Sequence, residues 1–129
     1  MSALFESAKP IVMIATADRP RAVPFYRDVL GLPMVAEDDY ASVFAVAGVT
    51  IRLSTVPGWQ PSGHTVFGFE VADAAATARA LTALGVTMIR YPGFAQDADG
   101  LWSAPGGGAK VGWFLDPDGN NLSIAQFGG

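Results

Sequence analysis

The segment Val111–Gln126, VGWFLDPDGNNLSIAQ, can fold in few ways. Val111, Trp113 and Leu115 alternate with their neighbours, as residues of a half-buried strand do. Asp116-Pro117-Asp118-Gly119-Asn120 then breaks the run. Proline fixes φ near about −65°, glycine supplies positive φ, and the Asp and Asn side chains bond back to the backbone. A second strand, Asn121 to Gln126, follows. A strand–turn–strand unit of this kind cannot stand alone in water. The preceding chain must supply the sheet that it joins.

Taken in order, that chain supplies strands and helices in alternation. Pro10–Ala17 (PIVMIATA) is an apolar, β-branched strand. Asp18 is placed to cap a helix with Pro20 in its first turn, running to about Leu30 and stopped by Gly31. Pro24 should kink that helix or delay its start. Phe25, Val29 and Leu30 are expected to face inward, with Arg27 and Asp28 in water. Three strands are expected near Met34–Glu37, Tyr40–Val46 and Thr50–Thr55. Val56–Gly63 (VPGWQPSG) has linker chemistry. Beyond it lie a strand at His64–Val71, a cap at Asp73, an alanine-rich helix at Ala74–Leu84 and a stop at Gly85. Thr87–Arg90 reads as a strand, Phe94–Gly100 as a loop and Leu101–Ala104 as an edge strand. Gly106-Gly107-Gly108 with Lys110 reads as a hairpin turn, because a phosphate loop needs a strand-to-helix context that is missing.

These elements repeat. Asp18 and Asp73 each end a first strand and open a helix, and the stopping glycine follows 13 residues on in one half (Gly31) and 12 in the other (Gly85). In each half a glycine stands four residues before a polar residue of the last strand, Gly48 before Arg52 and Gly119 before Ser123. The chain is therefore expected to be α+β, one domain over residues 1–129. Its two tandem βαβββ modules are placed at about 9–56 and 64–127, joined by a linker at about 57–63.

Phe25-Tyr26-Arg27-Asp28-Val29-Leu30-Gly31, then His64-to-Asp73 with its helix, then Asp116-Pro117-Asp118-Gly119-Asn120 resemble the vicinal oxygen chelate superfamily over essentially the whole chain. That superfamily includes glyoxalase I, extradiol dioxygenases and the fosfomycin- and bleomycin-resistance proteins. The resemblance implies two modules curled into a half-open mixed-sheet cup, helices outside, holding a small ligand, usually with a divalent metal at its base. It also implies a homodimer.

In metal-binding members the ligands come from the first and last strands of each module. Seven residues before the capping Asp stand Ile11 and Val66, and four after the turn glycine stand Arg52 and Ser123. Aliphatic carbons offer no lone pair, and a protonated guanidinium repels a cation. The usual metal site is thus expected to be absent, and no cofactor is expected. His64 is the single histidine. It suits a strand-start imidazole bonded to a turn, a weak candidate for a catalytic base or ligand contact, and least of all a metal ligand, because Glu70 on the same strand lies about 20 Å away at strand rise.

If the resemblance holds, Ile11, Arg52, Val66 and Ser123 line an apolar floor with one cation and one hydroxyl, suited to a carboxylate or carbonyl. Arg52 fits equally well a surface position or an internal ion pair. Trp113 reads as core or cup wall. Trp59 and Trp102 read as surfaces for stacking on a planar ligand or a partner subunit, with Tyr91, Phe94 and Leu101 extending the wall. Ser123 is no nucleophile, since one histidine and no assigned acid make no triad.

Composition narrows the partners. Net charge is −4 and no Lys/Arg cluster exists to neutralise phosphates, which argues against nucleic acid. With no cysteine, disulfides and thiolate chemistry are excluded. No apolar run reaches the roughly 20 residues of a membrane span, and Met1–Lys9 lacks the pattern of a signal peptide. A cytoplasmic, metal-independent small-molecule binder for sequestration, resistance or sensing is the first expectation. A lyase, isomerase or dioxygenase relative using a displaced metal or His64, and a ligand-free dimerisation module, are the alternatives.

Overall fold

The computed structural model describes residues 3–128, so the first two residues of Met1–Lys9 lie outside the described residues. The chain divides into two compact units between Trp59 and Gln60. Each is a βαβββ module with its own four-stranded mixed sheet, and the fold class is α+β. No helix among the described residues is long and apolar enough to cross a membrane.

Module one comprises β1 (Ile11–Thr16), α1 (Arg19–Pro24), β2 (Met34–Glu37), β3 (Ala41–Val46) and β4 (Val49–Thr55), in sheet order β1-β4-β3-β2. The helical crossover lets β1 run parallel to β4, while the other pairs are antiparallel hairpins. Ile14, Phe44, Ile51 and Leu53 are buried on the sheet face that α1 covers. The helix departs from expectation. Pro24 has no N–H to continue the α-ladder, and Phe25–Val29 forms a π-helical turn closed by Leu30 N–H donating to Phe25 O at 2.9 Å. The widened turn shifts the inward residue to Tyr26, which is fully buried with its ring 6.1 Å from that of Phe44. Phe25, Val29 and Leu30 are only half-buried, while Arg27 and Asp28 face water.

Module two comprises β5 (Thr65–Glu70), α2 (Ala74–Ala83), β6 (Trp102–Ser103), β7 (Ala109–Leu115) and β8 (Asn121–Phe127), ordered β5-β8-β7-β6. Asp73 Oδ1 accepts from Ala76 N–H at 3.0 Å and caps α2. Asp18 occupies the same place before α1, yet its side chain makes no capping bond; Pro20 removes one of the amides such a cap would use. At the other end of α2, Gly85 N–H reaches Thr82 O and Val86 N–H reaches Leu81 O, both at 3.0 Å, with Gly85 at φ +91°. This is a Schellman closure that glycine makes without strain.

Thr87–Arg90 does not form a strand. It touches the sheet through one bridge, Met88 to Phe114, and through Ile89 N–H donating to Trp113 O at 2.7 Å. The buried face of β7 is also the opposite of the expected one. Phe114 is fully buried with Leu122 and Ile124 of β8, whereas Trp113 is half-buried and Leu115 is 47% exposed. Both faces of β7 are apolar, so alternation alone could not say which one α2 would cover. Each large side chain on the covered face contributes about 1.5–3 kcal/mol by leaving water.

Candidate functional site

In each module the sheet face turned away from its helix carries some of the positions picked out by sequence: Ile11 and Arg52 in module one, Trp102, Trp113 and Ser123 in module two. In module one, Arg52 on β4 is flanked by Met13 of β1 and Val43 of β3. Ile11 pairs with Thr50, two residues before Arg52 on the same face, so the direct neighbour of Arg52 is Met13. The Arg52 guanidinium lies 3.4 Å from Asp38 Oδ2, and both side chains are partly exposed. The Asp38 carboxyl is held below its usual range by the backbone N–H groups of Tyr40 and Ala41, with Arg52 adding to the effect. Arg52 thus makes an ion pair at the surface rather than an internal one. Trp59 is half-buried beyond β4, its N–H donating to Val56 O at 3.1 Å.

The equivalent row in module two is Gly68 of β5, Ser123 of β8 and Trp113 of β7. Val66 is not in it. A bulge between Thr65 and Phe67 leaves Val66 as the extra residue. Gly68 has no side chain, and any β-carbon there would fall on the Ser123 hydroxyl. His64 is exposed one residue before β5, its Nδ1 2.8 Å from Ser62 Oγ.

Around Trp113 four rings meet. Tyr91 meets it edge-on at 5.3 Å between centroids, Phe94 lies 5.8 Å from Trp113 and 5.7 Å from Tyr91, and Trp102 lies 5.7 Å from Phe94. Such separations are the preferred ones for aromatic pairs. Trp102 pairs with Val111, so it shares the Trp113 face of the sheet. Phe94 remains 47% exposed. Leu101, expected to extend this wall, is 2% exposed; its side chain lies on the other face, over Gly112. Being next to Trp102 in an extended segment, it points the opposite way.

The loop that presents Tyr91 and Phe94 is tied by the side chains of Gln96, Asp97 and Arg90, the last donating to the Asp97 and Ala98 carbonyls at 2.8 and 3.1 Å. Gln96 Oε1 accepts from Tyr91 N–H at 2.7 Å, and Gln96 Nε2 donates to Ile89 O and Gly100 O, both at 2.8 Å. Asp97 Oδ1 accepts from the N–H groups of Asp99 and Leu101 at 2.9 and 3.0 Å. Gln96, Gly68 and Asn121, whose amide donates to the Tyr91 hydroxyl at 2.6 Å, are not singled out by the sequence. Gly68 and Ser123 fall in register only once the bulge is seen, and Gln96 lay in a segment with no periodicity to read.

The donor set does not fit the superfamily's metal. Ile11 and Val66 carry no donor atom, Arg52 is a cation paired with Asp38, and Ser123 offers a neutral hydroxyl. Among the described residues no three His, Cys, Asp or Glu side chains stand close enough together to hold one. Each module also has a surface groove near its helix, of about 530 Å³ beside Arg19 and about 670 Å³ beside Arg79. In the first, Arg19 is bonded to Thr55 Oγ1 and to the Asp38 and Asp39 carbonyls. In the second, Arg79 is paired with Asp99 at 3.0 Å.

Residues 10–124 match the model of the Glyoxalase/Bleomycin resistance protein/Dioxygenase superfamily. Comparison with curated proteins finds no match. Among solved structures, lactoylglutathione lyase from Agrobacterium tumefaciens is similar at 21% identity over 93% of both chains, with a TM-score of 0.72. TnmS3, an antibiotic binding protein from Streptomyces sp. CB03234, is 19% identical over 98% of this chain and 100% of its own, at 0.73. A Sphaerobacter thermophilus member of the superfamily is 22% identical over 95% and 99%, at 0.73. At these identities the likeness speaks to the fold.

Proposed function

Because the chain belongs to the Glyoxalase/Bleomycin resistance protein/Dioxygenase superfamily, we propose that it is a metal-independent protein that binds small aromatic molecules on the ring-lined face of module two. The observation that carries this reading is the group of four rings, Tyr91, Phe94, Trp102 and Trp113, on the sheet face that α2 leaves open. A hydrophobic core needs no such group there, since Phe114, Leu122 and Ile124 supply the core on the opposite face. Half-exposed rings offer flat apolar area at low entropic cost, which suits a planar ligand. That TnmS3, an antibiotic binding protein, shares the fold supports small-molecule binding. The enzyme alternative has less behind it: His64 is exposed and bonded to its neighbour Ser62.

The test is saturation-transfer NMR with naphthalene and 2-acetonaphthone, with affinities taken from tryptophan quenching. Phe94→Ala and Trp102→Ala should each weaken both probes about two- to tenfold, the worth of one aromatic pair. Ni, Mn, Fe or Zn should leave the melting temperature and the affinities unchanged. Absence of saturable binding, or variants indistinguishable from the parent, would overturn the reading. A metal-dependent gain in affinity would remove its metal-independent part.

A further inference from the structure

Beside the four rings runs a line of hydrogen bonds whose direction follows from the orientation of the Asn121 amide, oxygen toward Thr65 and nitrogen toward Tyr91. Thr65 Oγ1 lies 2.8 Å from Asn121 Oδ1, and Asn121 Nδ2 lies 2.6 Å from the Tyr91 hydroxyl. Asn121 is 5% exposed, so its amide is held between these two partners rather than by bulk water. An amide oxygen only accepts and an amide nitrogen only donates. Thr65 must therefore give its proton to Asn121, and Asn121 must give one to the Tyr91 oxygen. The Tyr91 hydroxyl, having accepted, keeps its own proton to donate. Among the described residues Asn121 is its only hydroxyl partner. Bonds in series polarise one another, which sharpens that last donor.

The Tyr91 ring meets Trp113 edge-on at 5.3 Å and lies 5.7 Å from Phe94, so the hydroxyl with this proton is carried by one of the four rings. From this we infer that the site takes aromatic molecules bearing a hydrogen-bond acceptor at the ring edge, such as aryl ketones or quinones, in preference to plain aromatic hydrocarbons, with Tyr91 as the selecting residue. The inference rests on the binding function proposed above and names its ligand class. Thr65 and Asn121 act through Tyr91 as positioning residues.

Two probes of one ring system separate the possibilities. 2-Acetonaphthone should bind about three- to tenfold more tightly than naphthalene after correction for their difference in hydrophobicity, the worth of one net hydrogen bond. Tyr91→Phe keeps the ring and removes the proton, so within that variant the two probes should bind equally after the same correction. Thr65→Val, which removes the first donor but keeps the tyrosine, should reduce the preference only in part. Thermal melts of both variants check that the fold is kept, and a variant that melts early is replaced by comparing the two probes on the parent alone. Equal binding of the two probes, or a preference that survives Tyr91→Phe, would overturn the inference and leave the aromatic-binding function standing. Failure of both probes to bind would overturn both.

Discussion

The two modules set the same backbone ladder to different uses. In module one the row across the open sheet face is Met13, Arg52 and Val43; in module two it is Gly68, Ser123 and Trp113. One row centres on a cation drawn to Asp38, while the other has a bare strand, a hydroxyl and an indole that leads into three further rings. The closing turns diverge as well. Ala47-Gly48 joins β3 to β4 in two residues, both at positive φ. The Asp116–Asn120 turn is instead built around a carboxylate that is 5% exposed. The fold fixes where side chains stand and leaves their chemistry free.

That contrast can be tested, beginning with the turns. Asp116 Oδ1 accepts from the N–H groups of Asp118 and Asn120, and its Oδ2 accepts from the Asn120 side chain, all at 2.9 Å. Asp116→Ala strips a buried turn of these bonds and should cost about 2–4 kcal/mol in urea denaturation. A loss below about 1 kcal/mol would mean that module two does not depend on its turn. In module one the corresponding lever works in the other direction. Ala47 holds φ +49°, a conformation that asparagine tolerates better than alanine, and Asn-Gly is the favoured two-residue hairpin turn. Ala47→Asn should stabilise the protein by about 0.5–1 kcal/mol, and a loss of stability would show that the turn carries no strain.

The smallest effect expected is on pH dependence. Asp38 has a depressed pKa in the folded state, so its contribution is present above the ordinary carboxylate value, about 3.9, and is lost as pH falls through the folded value. Asp38→Asn should therefore narrow the gap between urea midpoints measured at neutral pH and near pH 3. A gap as wide as the parent's would show that the carboxylate contributes nothing through linkage.

Much of this architecture was legible in the residues. Capping aspartates, stopping glycines and the Asp-Pro-Asp-Gly-Asn turn act locally, so Asp73, Gly85 and Asp116 could be placed without tertiary information. What escaped depends on long-range packing or on register. Pro24 announced a disturbed helix, but not that a π-helical turn would bring Tyr26 inward. Counting back seven residues from each capping aspartate reached Ile11 and Val66, whereas the ladders set Met13 and Gly68 beside Arg52 and Ser123. The aromatic residues were visible as types. Their meeting was not, because Tyr91 and Phe94 reach Trp113 through a loop held by side-chain bonds of Gln96, Asp97 and Arg90.

Gln96 bridges its loop through three backbone groups, to Tyr91, Ile89 and Gly100, and none of those bonds involves a ring. The frame and the surface it displays are thus separately encoded. Exchanging Phe94 or Trp102 for rings of other size or polarity leaves the frame's own bonds intact, so the surface this loop displays can be rewritten by selection or by design while the fold is inherited unchanged.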